Sequence, residues 1–146
     1  MKLVTKNRAA FFEYFILDTF TAGIKLKGSE VKAIKAGNLN IKEAYVFIEN
    51  NEVFIKNMHV SEHKQGGKAN NHEPLRVRKL LLNKKEIEFL VGKMKQKGLT
   101  IIPLSVILSD FGFVKIEIGL GKGKKLFDKK EAIKEKDMKR DLEQNL

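Results

Sequence analysis

The stretch Ile101-Ile102-Pro103-Leu104-Ser105-Val106-Ile107-Leu108, Ser109-Asp110-Phe111-Gly112, Phe113-Val114-Lys115-Ile116-Glu117-Ile118-Gly119-Leu120 reads as two long strands joined by a short turn. In its second half Val114, Ile116, Ile118 and Leu120 alternate with Lys115, Glu117 and Gly119, the period of a half-buried strand. Asp110-Phe111-Gly112 shares three letters with a protein-kinase signature, but no glycine-rich ATP loop accompanies it; it reads as a turn. An antiparallel sheet is therefore the frame on which the rest of the chain is to be placed.

Working towards the N-terminus, the capped stripe Ile87, Leu90, Val91, Met94 predicts a core-facing helix over 83–98, with Asn83 and Glu86 at capping-box spacing. Before it, 77–82 reads as a strand entered by Arg76, Arg78 and Lys79. Tyr45-Val46-Phe47-Ile48 and Val53-Phe54-Ile55 flank Asn50-Asn51, a pair that tolerates positive φ and suits a tight primed turn. Residues 61–74 form a long loop, of the kind that is functional or disordered. A short helix starts near Ser29 and ends at Gly37. Tyr14 to Phe20 and Ile24 to Lys27 read as two strands broken at Ala22-Gly23, and residues 1–8 as a basic arm. At Gly121 the composition turns to Lys and Glu with few apolar groups. Residues 121–146 are thus expected to be a basic tail, disordered alone and helical on a surface. The fold class expected is α+β: a small antiparallel OB-like β-barrel over 1–120 with about two or three helices.

Of 146 residues, 29 are Lys or Arg and 18 Asp or Glu, a net charge of +11 that points to a polyanionic partner, nucleic acid before an anionic membrane. With no cysteine, a disulfide scaffold, a thiol nucleophile and a Cys-ligated metal are excluded. No apolar run approaches the roughly 18 residues of a membrane span, and the first residues lack a secretion signal, so a cytoplasmic protein is expected. Gly119-Leu120-Gly121-Lys122-Gly123-Lys124-Lys125 fails the spacing of a phosphate loop. It reads as ammonium groups on a close-approaching backbone or as a solvated linker. His59 and His63 lie on a strand entering a loop, where two histidines four apart do not converge, so no metal and no cofactor is expected. The carboxylates sit among lysines, the pattern of solvated ion pairs, and no catalytic set is completed. Arg76 and Arg78 fall on one side of a strand, as a phosphate-binding pair or as rim charges. Phe127, among Lys124, Lys125, Lys129 and Lys130, has no core to enter and suits base stacking.

Several segments in a fixed order make the chain resemble the small protein B (SmpB) family, which binds the tmRNA of bacterial trans-translation. They are Gly28-Ser29-Glu30-Val31-Lys32, Ala36-Gly37 with Asn40, and Asn71-His72-Glu73-Pro74. Arg76-x-Arg78-Lys79-Leu80-Leu81-Leu82 follows, then Lys97-Gly98-x-Thr100-Ile101-Ile102-Pro103-Leu104. Gly121-Lys122-Gly123-Lys124-Lys125-Leu126-Phe127-Asp128-Lys129-Lys130 completes the set, which spans residues 7–140. The resemblance implies a non-enzymatic RNA-binding factor that binds the tRNA-like domain of tmRNA. It implies delivery of alanyl-tmRNA, with elongation factor Tu and GTP, to stalled ribosomes, the tail entering the empty mRNA channel near the decoding centre of the small-subunit rRNA. It places tmRNA contacts at Asn7, Glu30, Lys32, Asn40, Asn71, His72, Arg76, Arg78, Lys79 and Leu81. Ribosome contacts would fall in the tail at Lys122, Lys124, Lys125, Phe127, Asp128, Lys129, Lys130, Lys134, Lys136, Lys139 and Arg140. The chain departs from the family pattern at Thr21, where Glu is usual, and at Lys130, where Arg is customary. The competing readings are a generic OB-type single-strand binder, which needs exposed aromatics on strand faces, and an RNA-processing enzyme, which needs a catalytic set.

Overall fold

In the computed structural model, which describes residues 1–62 and 71–124, the long hairpin is the centre of the molecule. Its strands are β8 (Leu99–Leu108) and β9 (Val114–Gly123). Around them lie β1 (Lys2–Lys6), α1 (Arg8–Glu13), β2 (Tyr14–Ile24), α2 (Gly28–Lys35), β3 (Leu39–Asn40) and β4 (Tyr45–Glu49). Then come β5 (Glu52–Lys56), β6 (His59–Val60), β7 (Arg78–Leu81) and α3 (Lys84–Lys93). Seven strands form one antiparallel sheet in the order β1-β8-β9-β2-β7-β5-β4, and β3 pairs separately with β6. The sheet curls until β4 lies against β8. Among the described residues no hydrogen-bonded ladder joins its first and last strands, so the expected barrel is a curled, open sheet.

The concave side holds the main core: Ala22, Val46, Val53, Ile55, Leu80, Ile101, Val106, Ile116, Ile118 and Leu120, with Ile34 of α2 and Leu90 of α3. Strand β8 is buried on both faces between Ile101 and Val106. A register shift between Pro103 and Ser105 lets Ile102 and Leu104 turn outwards beneath α1, where they meet Ala10, Tyr14 and Ile16 in a second, small core. Such a bulge re-aims side chains that strict alternation would send to one side.

Two N-terminal elements were not expected. Residues 2–6 pair with β8 as an edge strand, and Asn7 caps α1 by accepting from the Ala10 N–H at 3.3 Å. Strand β2 runs unbroken through Ala22-Gly23. Ala22 is buried in the core, and a Cβ on Gly23 would lie 3.3 Å from the Leu81 Cβ, so the small residues serve close packing instead of a break. Helix α3 is shorter than its apolar stripe, giving way to turns before Gly98 at φ 87. Ser29 is not the cap of α2; Lys27 is, and the Glu30 side chain accepts from the Lys27 N–H at 2.8 Å. The turn Asn50-Asn51 has φ 52 and 60, as a primed turn requires. Strand β9 continues through Gly121, Lys122 and Gly123, pairing with Tyr14, Phe15 and Ile16. The loop residues 63–70, which include His63, and the tail from Lys125 onwards lie outside the described residues.

Candidate nucleic-acid interface

Helix α2 presents Glu30 inwards, where its side chain is 0% exposed. Arg76 and Arg78 do point to one side, and that side is Glu30. Arg76 Nη2 donates to Glu30 Oε1 at 2.6 Å, and Arg78 Nε donates to Glu30 Oε2. Arg78, also fully buried, spends its other donors on the carbonyls of Met58 at 2.7 Å and Pro74 at 3.2 Å. Burial alone would push the Glu30 carboxyl upwards. The hydrogen bonds from Arg76, from the Lys27 N–H and from Arg78 outweigh it and hold the group below the ordinary value of 4.5. Burial lowers Arg78, while the bond to Glu30 opposes that fall. An ion cluster this closed is sound only because each charge meets an opposite one or a carbonyl; removing any member strands the rest.

His72 extends the cluster. Its Nε2–H donates to the Val60 carbonyl at 2.8 Å, which leaves Nδ1 to accept from the Ser29 hydroxyl at 2.8 Å. Helix α2, β6 and the segment 71–78 are thereby bolted together. Asn7 is likewise internal: its Nδ2 donates to the Pro103 carbonyl and its N–H to that of Leu104.

Four of the ten proposed tmRNA contacts, Asn7, Glu30, His72 and Arg78, are therefore buried, and Arg76 is drawn to the same carboxylate. Asn71 is half-buried beside them. Lys32, Asn40 and Leu81 are exposed and Lys79 is partly so. Asn40 shares with Asn7 a cleft of about 260 Å³ whose walls include Lys6, Arg8 and Lys42. Lys79 lies 3.5 Å from Glu52 across the surface.

The convex side of the sheet is where exposed groups collect. Ladder partners share a face, so the register sets Leu3, Ile107, Lys115, Gly23 and Leu81 in one row across five strands. Leu81 is 51% exposed there. Residue types alone did not disclose this row, since it links residues from five separate segments; only correct strand order could have. Near the end of β9 a second group appears: Lys6 Nζ stands 4.8 Å from the Phe11 ring, Lys124 Nζ 5.1 Å from Phe15, and Lys93 Nζ 5.5 Å from Phe89. Lys122 is exposed beside them, opposite Phe15. The remaining proposed ribosome contacts, from Lys125 to Arg140, lie outside the described residues. Among the described residues no cluster of metal-ligating side chains occurs, and no helix is long and apolar enough to cross a membrane.

The family model described as "SmpB protein" matches residues 4–146. The SsrA-binding protein of Acholeplasma laidlawii is 54% identical over the whole of this chain and 97% of its own. That of Halalkalibacterium halodurans is 48% identical over 99% of this chain and 93% of its own. A chain of the solved structure described as "tmRNA-SmpB: a journey to the center of the bacterial ribosome" superposes with a TM-score of 0.70. It is 41% identical, covering 88% of this chain and 93% of that one.

Proposed function

Since this chain belongs to the SmpB protein family, we propose that it is a tmRNA-binding factor of trans-translation, which brings tmRNA to stalled ribosomes in the cytoplasm. The observation that carries this is the agreement, over nearly the full length of both chains, with SsrA-binding proteins and with a chain from a tmRNA–SmpB complex. Its work is recognition and not catalysis. The curled sheet acts as an OB-like platform, and the polar residues divide into two roles. Lys32, Asn40, Lys79 and Leu81 touch RNA from exposed positions, whereas Glu30, His72, Arg76 and Arg78 hold α2 and the 71–78 segment, and Asn7 ties the start of α1 to β8, in the shape that RNA meets. Structured RNA is read mainly by shape and phosphates, so a rigid, basic surface is the suitable device. Lys122 at the end of β9 and Lys124 just past it, together with the tail residues Lys125, Phe127, Asp128, Lys129, Lys130, Lys134, Lys139 and Arg140, engage the ribosome near the decoding centre, after delivery with elongation factor Tu and GTP.

The test is the dissociation constant for the tRNA-like domain of tmRNA beside ordinary tRNA and an unstructured RNA, at several salt concentrations. A net charge of +11 attracts every polyanion at low salt. A preference for the tRNA-like domain that survives raised salt is the expected result. Affinities that are equal and collapse together would leave a nonspecific binder.

A further inference from the structure

The turn between β8 and β9 carries the most open aromatic rings of the described fold: Phe111 is 90% exposed and Phe113 66%. A phenylalanine gains nothing by lying in water, and turn positions ordinarily take Asn, Asp or Gly. Nor is this turn loose. The Ser109 N–H donates to the Phe113 carbonyl at 2.9 Å, the Gly112 N–H to the Ser109 carbonyl at 2.9 Å, and the Phe113 N–H to the Ser109 hydroxyl at 3.0 Å. Gly112 takes the positive φ of 82 that the turn needs, and the Asp110 carboxylate is occupied by the N-terminal ammonium of Met1. The two rings are thus held out on a fixed mount.

Their surroundings are cationic. Lys35 of α2 reaches to 3.4 Å from where a Cβ on Gly112 would stand, and Lys2 and Lys115 flank the turn on β1 and β9. Among the described residues none of these three has a carboxylate within ion-pair distance. Phe113 precedes Lys115 by two residues and so approaches the convex row that ends at Leu81. Phe11, Phe15 and Phe89 already have lysines over their rings, whereas Phe111 and Phe113 have none among the described residues.

We propose that Phe111 and Phe113 form a stacking finger that takes an unpaired base of the bound RNA, with Lys2, Lys35 and Lys115 meeting its neighbouring phosphates. Bare rings beside unpaired ammonium groups match a nucleotide, which offers a π-face and a negative charge a few ångströms apart. The finger lies at the edge of the same convex surface that carries Leu81, so one RNA can touch both. This rests on the reading of the chain as an RNA-binding factor, and the base belongs either to tmRNA or to ribosomal RNA.

The experiment compares wild type with Phe111→Ala, with Phe111→Ala/Phe113→Ala and with Phe111→Leu/Phe113→Leu at about 150 mM salt. One arm titrates the isolated tRNA-like domain of tmRNA; the other measures occupancy of stalled ribosomes by the protein with tmRNA. The alanine pair is expected to weaken binding in at least one arm by roughly five- to a hundredfold, and the leucine pair to recover little, having area but no π-face. Loss in the first arm assigns the base to tmRNA; loss in the second alone assigns it to the ribosome. Alanine variants that bind like wild type in both arms, or a leucine pair that restores affinity, overturn the stacking role. Phe111 is so exposed that its single alanine variant keeps the question answerable should the pair disturb the turn. Wild type serves as the internal control: if it shows no preference for the tRNA-like domain over ordinary tRNA, the function itself fails, whereas an intact preference with unaffected variants removes only the finger.

Discussion

The Glu30 cluster and the β8–β9 turn invert each other. One takes three charged side chains inside the fold, two of them fully buried; the other puts two phenylalanines outside it. Each is stabilised by what the other lacks. Glu30 is satisfied from both oxygens, and the Arg78 guanidinium by a carboxylate and two carbonyls, all from within the chain. The turn is closed by two backbone bonds and one to the Ser109 hydroxyl, but its rings stand largely in solvent. Apart from the buried Arg76 Nε, which has no hydrogen-bond partner among the described residues, the cluster is balanced from within the chain, whereas the rings of the turn stand open, so substitutions should separate shape from contact.

The largest effect is expected at Glu30. Glu30→Ala strands Arg78 in the interior, and loss of one member of a buried pair costs about 3–5 kcal/mol. Urea unfolding should show this as a lower midpoint at unchanged slope. The companion Glu30→Leu/Arg78→Met, which removes both charges and keeps volume, should recover much of the loss, since apolar replacement of a whole buried pair is often neutral. If the double variant still fails to bind the tRNA-like domain once its stability is restored, Glu30 or Arg78 touches RNA, and the division between shape and contact breaks down.

The same carboxylate sets an acid limit. Its folded value lies below the ordinary 4.5 of the unfolded chain, held there by Arg76, Lys27 and Arg78 against the upward push of burial. A lowered carboxylate gives stability that is complete above the unfolded value and is lost as pH falls through the folded one. Urea midpoints of the wild type should therefore fall as the pH is taken below the ordinary 4.5, and part of that fall should vanish in the Glu30→Leu/Arg78→Met variant. A wild-type profile that the double variant matches at every pH would place the acid sensitivity elsewhere.

How far the sequence reached can be seen from the same residues. The central hairpin, the Asn50-Asn51 turn and the Asn83–Glu86 cap were legible because each rests on local periodicity or backbone preference. Strand β1 and helix α1 were not. An edge strand with exposed lysines has no alternation to show, and a six-residue helix is held mainly by the contact of Ala10 with Ile102 and Leu104. The resemblance named the correct family and singled out the residues of the Glu30 cluster, but it could not say which of them face inwards. A signal for Arg78 did exist: it shares strand parity with Leu80, and therefore the core side. Nothing in the sequence placed Glu30 opposite it, because that meeting depends on how α2 crosses the curled sheet.

The smallest effect sharpens the outer half of the comparison. Lys79 and Lys115 both lie on the convex face, the first 3.5 Å from Glu52 and the second without a described carboxylate beside it. A lysine that neutralises an RNA phosphate contributes nearly one unit to the slope of log affinity against log salt. Lys115→Ala should lower that slope by about one and weaken binding modestly at moderate salt, with little change in unfolding midpoint. Lys79→Ala should lower it by less, because Glu52 already balances part of its charge. Titration of the tRNA-like domain at three or four salt concentrations decides the matter. A slope unchanged in both variants would move the phosphate track off the convex sheet, towards the cleft of Lys6, Arg8 and Lys42. It would also separate Leu81, which the register of β7, β2 and β9 sets in the row with Lys115, from the RNA surface proposed for it.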